Sequence, residues 1–176
     1  MHRKSILALL FSAAILTGFA SAADAPVSST GDGMLVIGAK LYNMNNAGVV
    51  DYSQYPLSTL SVKNLDSGRA YNIELDSNHG MTALPAGIYC LNSVRPQNSS
   101  PLVYCAKPFF RVNAGKILVA GYFDFAVNLS GHSYKLVNSF NNPQGLFDSL
   151  SQADKDTLAS FSNSGVSGSD GTNPSQ

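Results

Sequence analysis

The chain has 176 residues, of which 11 are lysine or arginine, 11 are aspartate or glutamate, and only 12% are charged. That length is enough for one domain with its own core, and the sparse charges form no basic patch of the kind that binds nucleic acid. We therefore expect one globular domain and no nucleic-acid partner.

The N-terminus has the three-part order of a secretory signal peptide. Arg3 and Lys4 form its positive end, residues 6–19 are apolar or small, and Ala20-Ser21-Ala22 offers a cleavage site. The alternative is a retained N-terminal helix. No cysteine stands at the cleavage point, and no later stretch has the ~20 apolar residues of a spanning helix. We expect residues 1–22 to be removed, which would leave a periplasmic or secreted product with no membrane anchor.

The two ends of the remaining chain differ in composition from its middle. Residues 23–32 are small and polar, and we expect them to form a flexible leader. Residues 162–176 are rich in serine, glycine and asparagine, which predicts a disordered tail. The domain is therefore expected to span residues 33–161.

The first half of the domain is predicted to be β-structure. Residues 34–42 form an apolar strand, and Leu35, Ile37, Ala39 and Leu41 share one of its faces. A long polar loop is expected at residues 43–56, followed by a strand at 59–65 and a tight turn at 66–68. Residues 71–76 alternate between apolar and polar side chains, which is typical of a strand with one solvated face.

Cys90 and Cys105 are the only cysteines. Both follow the predicted signal, and an even count in an exported chain suggests one disulfide. They lie in strand-like segments at 87–95 and 102–107. If these form a hairpin centred on the loop at 96–101, residues whose numbers sum to 195 face each other, and the two cysteines do. The alternative is a redox or nucleophilic thiol, which would need a C-x-x-C motif or a neighbouring base that is absent here.

The second half adds further strands and a helix. Strands are expected at 109–112, 117–127 and 132–140, and the second of these is apolar on both faces, as in the middle of a sheet. Ser151 and Asp154 have capping-box spacing, and a turn beginning at Asn142-Pro143 could precede the helix. The expected apolar stripe of this helical end consists of Leu146, Phe147, Leu150, Ala153, Thr157, Leu158 and Phe161. We predict a mainly β fold: an antiparallel sandwich of seven or eight strands, one face covered by a short C-terminal helix.

Three segments within residues 60–125 carry a family resemblance: LSVKNLDSGRAYNIEL, TALPAGIYCLNSV and FFRVNAGKILVAGYFDF. They resemble small transthyretin-like or carboxypeptidase-regulatory-like sandwiches of bacterial envelope proteins, in which a strand–turn–strand precedes a Leu-Pro-x-Gly-x-Tyr element. Residues 84–89 match that element, and residues 110–116 resemble exported proteins of unknown function. The resemblance implies a prealbumin-like fold in the envelope, and it implies no activity, because such folds serve many purposes.

Few side chains suggest catalysis or metal binding. Asp76 and His79 could meet around a turn, but a structural metal site needs about four ligands, so a surface turn histidine is the simpler interpretation. His132 is interpreted as a solvated strand end. Asp124, between two phenylalanines, could be a binding carboxylate but is expected to face solvent. No familiar catalytic motif is present, and we expect no cofactor.

The predicted loop at 43–56 is the first candidate for a binding site. It contains Tyr52, Tyr55, Asn45 and Asn46, and tyrosines with amides are common in loops that bind sugars or peptides. The alternative is that these tyrosines pack the loop onto the sheets.

The sequence favours a non-catalytic, exported binding or assembly module of the bacterial cell envelope. Its partner would be an unknown envelope protein or a glycan. One alternative is a small hydrolase or metal-dependent enzyme whose site combines Asp76, His79, His132 or Asp124. Another is an inhibitor or immunity-type protein that acts through the loop at 96–101 or the loop at 43–56.

Overall fold

The structure is a computed structural model that describes residues 31–48, 50–128 and 133–164. The predicted signal peptide, the leader up to residue 30 and the tail from residue 165 lie outside the described residues. The described part is mainly β, as predicted, and has two short helices. The strands are β1 (Asp32–Met44), β2 (Val50–Tyr55), β3 (Leu57–Asn64), β4 (Ala70–Glu74), β5 (His79–Pro85), β6 (Gly87–Pro96), β7 (Leu102–Val103), β8 (Phe110–Val112), β9 (Ile117–Asn128) and β10 (Ser133–Asn141). The helices are α1 (Pro143–Ser149) and α2 (Gln152–Ser164).

The strand count and two boundaries differ from the prediction. The described residues contain ten strands rather than seven or eight, because β2 forms within the expected loop and β5 forms just before the cysteine hairpin. Asp32, expected in the leader, is the first residue of β1, and α2 continues past residue 161 to Ser164. Among the described residues, no helix is both long enough and apolar enough to cross a membrane.

Sheet A contains β10, β9 and β1 in that order, and two further strands pair with the other edge of β1. The first half of β1 pairs with β5 and its last residues pair with β2. The β1–β9 pair is parallel, so the predicted antiparallel arrangement is wrong for this pair, whereas all the other described pairs are antiparallel. A parallel pair needs a long crossover connection, and the chain from β2 to β8 supplies it.

Sheet B contains β4, β3 and β6 in that order, with β7 and β8 pairing successive parts of the free edge of β6. All of its pairs are antiparallel. The predicted turn between β3 and β4 is present, since the Gly68 amide donates to the Asn64 carbonyl at 2.9 Å.

The two sheets share one hydrophobic core, which we call the shared core. The predicted inward face of β1 is confirmed, because Leu35, Ile37, Ala39 and Leu41 are all buried in it. Aromatic rings from both sheets meet there: Phe110 of β8 lies 6.4 Å from Phe123 of β9, measured between ring centroids. The alternating pattern of residues 71–76 is also confirmed, with Ile73 buried and its polar neighbours exposed. The expected central strand is β9, which lies between β1 and β10.

The helices cover part of the opposite face of sheet A, as predicted. Four side chains of the helical end pack on Met34 and Val36 of β1 and on Tyr122 of β9: Leu146, Leu150, Leu158 and Phe161. The capping box is present, because the Asp154 amide donates to Ser151 Oγ at 3.1 Å and the Ser151 amide donates to Asp154 Oδ2 at 3.3 Å. Two residues of the predicted stripe, Phe147 and Ala153, are exposed instead.

Cys90 and Cys105 form the predicted disulfide, with their Cα atoms 5.1 Å apart. The predicted register is wrong by one residue, because Ser93 pairs with Val103 and the Cys105 amide donates to the Leu91 carbonyl. Strand β7 also ends at Val103 rather than at residue 107. A one-residue shift in register normally turns a side chain to the other face. Cys105 leaves the strand conformation with φ of 31°, and its sulfur still reaches Cys90.

Candidate functional site

The predicted polar loop at 43–56 is mostly a β-hairpin, so that prediction is wrong. Residues 43 and 44 end β1, and β2 pairs back on β1 in an antiparallel register. Only a short turn remains, in which the Gly48 amide donates to the Asn45 carbonyl at 2.9 Å. Valine and tyrosine favour strands, and an edge strand tolerates polar residues on its solvated side. The valines and tyrosines of this segment were therefore a sequence signal for a strand, although its mostly polar composition suggested a loop.

Asn45 and Asn46 stabilise the hairpin turn. The Asn45 side-chain oxygen accepts a hydrogen bond from the Ala47 amide at 3.0 Å, a local pattern that favours turns. The Asn46 side-chain oxygen accepts from the Asn128 side-chain amide at 2.7 Å, which joins the turn to the end of β9. The structure therefore places these two asparagines at one end of the hairpin and Tyr55 at the other.

Tyr55 lines a cavity of about 450 Å³ and packs partly against the shared core. We call this the Tyr55 cavity. Its other lining residues are Gln54, Pro56, Leu57, Leu75, Asp76, Ser77, Asn78 and Gln97. Tyr52 lies in β2, but its side chain is outside what the structure describes.

A second cavity shares one lining residue with the Tyr55 cavity, and a third shares two lining residues with the second. Gln97 also lines an open cavity of about 700 Å³, which we call the loop cavity. Its wall is the loop at 96–101 together with Ser58 and Arg95. Arg95 and Pro101 continue into a groove of about 180 Å³ on the outer face of sheet B, which we call the sheet groove. These three cavities are therefore neighbours, and most of their lining side chains are polar.

The sheet groove is polar because of strand pairing. Thr59 lies opposite Glu74 in β4 and opposite Arg95 in β6, and directly paired residues point to the same face. Ser61 lies opposite Asn72, and it accepts a hydrogen bond from the Asn92 side chain at 3.2 Å. The sequence indicated the polar face of β3 through the alternation of Thr59 and Ser61 with buried leucine and valine. The pairing of β3 with β4 and β6, which brings the polar residues together, is a feature of the tertiary structure.

A fourth cavity, of about 350 Å³, lies where β4, β5 and the α1–α2 corner meet, and we call it the corner cavity. Its lining residues are Glu74, Asp76, His79, Gly80, Met81, Leu150, Ser151 and Asp154. The structure thus brings Asp76 and His79 together, and their backbones exchange hydrogen bonds of 2.8 and 3.0 Å. His79 was expected on the surface, but it is only 8% exposed and its Nδ1 has no hydrogen-bond partner. Within residues 31–48, 50–128 and 133–164, no three His, Cys, Asp or Glu side chains are arranged to hold a metal ion.

Asp124 is not solvent-facing as expected, because neighbouring side chains leave it only 5% exposed. Its Oδ2 accepts a hydrogen bond from the Asn141 side-chain amide at 2.8 Å, and its Oδ1 has no partner. Asp124 does not line the corner cavity, and His132 lies outside the described residues. The structure therefore unites two of the four residues proposed for an enzyme site.

Two tyrosines of the shared core have shifted acidities. Burial raises the pKa of the Tyr89 phenol, and a hydrogen bond with the Asn64 side chain partly opposes that effect. The Tyr89 hydroxyl also donates to the Pro85 carbonyl at 2.7 Å. Burial likewise raises the pKa of Tyr104, whose hydroxyl donates to the Lys107 carbonyl. Neither tyrosine lines any of the four cavities, so their roles are in packing.

No protein-family model and no curated protein matches the chain. Among solved structures, it is similar to the Bacillus anthracis TIE protein, with 16% identity over 53% of this chain and 16% of that one, at a TM-score of 0.32. It is also similar to a leucine-rich repeat protein from Bacteroides thetaiotaomicron, with 16% identity over 58% of this chain and 14% of that one, at a TM-score of 0.35. The chain thus spans less than a fifth of either protein. The transthyretin-like resemblance stays a prediction.

Proposed function

We propose that this protein is a non-catalytic, exported binding module that recognises a glycan of the bacterial cell envelope. The observation that carries the proposal is that three mostly polar cavities lie next to one another: the Tyr55 cavity, the loop cavity and the sheet groove. Their walls present side-chain amides, hydroxyls, one tyrosine ring and the Arg95 guanidinium. Sugars offer many hydroxyls, which such groups can bind as donors and acceptors, and a ring adds contact area at low entropic cost.

Two other features support the remaining parts of this proposal. The Cys90–Cys105 disulfide suits an oxidising compartment such as the periplasm. Two sheets with one shared core are compatible with a β-sandwich of the transthyretin-like kind.

The test is binding of the protein to purified cell-wall glycan and to a glycan array. Gln97 is the residue to change, because it lines two of the three cavities. We expect Gln97→Ala to weaken binding about five- to tenfold, since one lost hydrogen bond is worth about 1 kcal/mol. The matched control is Gln144→Ala, because Gln144 is exposed on α1 and lines none of these cavities.

Two results would count against glycan recognition by these cavities. Equal binding by both variants would remove the three cavities as the site. A stable complex with an envelope protein, without glycan binding, would favour the assembly or inhibitor alternative. That alternative gains some support from the loop at 96–101, whose residues from Gln97 to Pro101 are exposed.

The hydrolase alternative depends on the shared position of Asp76 and His79 in the corner cavity. Release of soluble fragments from cell-wall glycan, lost in Asp76→Asn, would favour that function over simple binding.

A further inference from the structure

The corner cavity has its own chemistry, although it shares Glu74 with the sheet groove and Asp76 with the Tyr55 cavity. It lies where the end of β4 in sheet B and the start of β5 in sheet A meet the capped beginning of α2. Gly80 allows this close approach, because a Cβ atom there would lie 2.4 Å from the Glu74 carbonyl oxygen. The cavity is therefore built by two segments that are distant in sequence, residues 74–81 and residues 150–154.

Three carboxylates line this cavity, and none of its lining residues is lysine or arginine. Each carboxylate already uses one oxygen. Glu74 Oε2 accepts from Thr59, Asp76 Oδ1 accepts from Ser77, and Asp154 Oδ2 accepts from Ser151. These bonds restrain the three groups and leave the second oxygen of each for donors from a ligand. The local field favours a cation.

His79 gives an independent indication of a ligand. It lines the same cavity, is only 8% exposed, and its Nδ1 is buried without a hydrogen-bond partner. Buried polar atoms without partners are rare, because leaving one unpaired is costly. In the tautomer that carries its proton on Nε2, Nδ1 accepts a hydrogen bond, and an N–H donor would then be its missing partner.

We propose that the corner cavity binds an organic cation through its ammonium or guanidinium group. Such a group supplies three to five N–H donors, which match the carboxylate oxygens and the His79 ring. Met81 and Leu150 provide apolar wall for the aliphatic chain that carries the charge. A divalent metal ion fits less well, since the described His, Cys, Asp and Glu side chains are not arranged in a metal-binding group. The proposal does not depend on glycan recognition.

Calorimetric titration of the purified protein tests this proposal with defined probes. The probes are 1,5-diaminopentane, the blocked tripeptides Ala-Lys-Ala and Ala-Arg-Ala, the blocked Ala-norleucine-Ala peptide and calcium chloride. We expect saturable binding of at least one cationic probe and none of the norleucine peptide. Binding of the diamine alone would identify a free amine as the ligand, whereas binding of a cationic peptide would identify a side chain of a partner.

Asp76→Asn should weaken that binding about tenfold, because it removes one charge while preserving shape. Glu74→Gln is the second variant, in case the first does not fold. The matched control is Asp66→Asn, since Asp66 lies in the β3–β4 turn outside the cavity. In the wild-type protein, the His79 Nδ1 NMR signal should shift on addition of the cationic probe.

The proposal is overturned if no cationic probe binds, if the norleucine peptide binds equally well, or if calcium binds and the amines do not. It is also overturned if the folded Asp76→Asn and Glu74→Gln proteins bind as the wild type does. Gln97→Ala should leave cation binding unchanged, which separates this site from the proposed glycan surface.

Discussion

Single residues determine where the strands of sheet A can approach one another. The β1–β9 register shifts at Ala120, since Val36 pairs with Val119 and Ile37 pairs with Gly121. Gly121 has φ of 82°, and a Cβ atom there would lie 2.7 Å from the Asn141 carbonyl oxygen. Only glycine combines this conformation with that contact. The glycine therefore allows β9 to approach the end of β10 at Asn141.

Gly121→Ala should destabilise the protein more than the same change at Gly115. Both glycines have positive φ, at 82° and 63°, but a Cβ at Gly115 would have no atom within 4 Å. We expect Gly115→Ala to lower the free energy of unfolding by about 1 kcal/mol because of its backbone conformation alone. Gly121→Ala should lower it by about 1–3 kcal/mol more because of the added clash. Urea unfolding of both variants measures the difference, and equal losses would show that β10 moves away freely.

Asp124 shows what alternation in one strand can and cannot predict. The period of two correctly placed Asp124 on the face of Tyr122 and opposite Phe123. It could not predict that this polar-looking position would be buried, because burial depends on what β1 and β10 place beside it. The face to which a side chain points depends on its position in the strand, whereas the burial of that face depends on the assembled sheet.

At the scale of elements, the disulfide hairpin shows the same division. The spacing of Cys90 and Cys105 around a proline-bounded loop correctly predicted their pairing. The one-residue error in register arose because a hairpin centre depends on the conformation of the loop. Asn98 has φ of 58°, and the Gln97 amide donates to the Pro56 carbonyl of the neighbouring connection. Neither fact can be read from the loop's composition.

Reduction of the disulfide should lower the free energy of unfolding by about 3 kcal/mol, because the bridge closes a loop of 15 residues in the unfolded chain. The double variant Cys90→Ala/Cys105→Ala should lose a similar amount. Denaturant unfolding with and without reductant measures both effects. The double variant serves as the control, since reductant should not change its stability. Equal stability of the oxidised and reduced wild type would contradict this account.

At the scale of the whole molecule, the described structure has two hydrophobic regions on the two sides of sheet A. The shared core joins both sheets, and the second region lies between sheet A and the helices. The capping box at Ser151 sets the start of α2 and so directs Leu158 and Phe161 onto the sheet. The helices therefore stabilise the fold by covering an apolar face.

Leu146→Ala should lower the free energy of unfolding by about 2–5 kcal/mol, because the Leu146 side chain is fully buried between α1 and sheet A. The neighbouring Phe147→Ala is the control. Phe147 is 36% exposed, and the centre of its ring lies 5.7 Å from the Lys155 ammonium. Phe147→Ala should therefore lower the free energy of unfolding by less than Leu146→Ala does. Thermal unfolding of the two variants gives the comparison. A larger loss for Phe147→Ala would mean that the helices pack differently.

The sequence by itself determined the β-rich class, the inward face of β1, the central position of β9, the capped helix and the disulfide. Each of these depends on local periodicity, local capping or the pairing of two nearby cysteines. Only the tertiary structure decided the parallel β1–β9 pair, the pairing of β2 at the edge of sheet A, and the approach of Asp154 to residues 74–81. The first and third of these join segments far apart in the chain, and all three depend on how the sheets and helices assemble. The candidate binding surfaces belong to this second group, because they form where those separate elements meet.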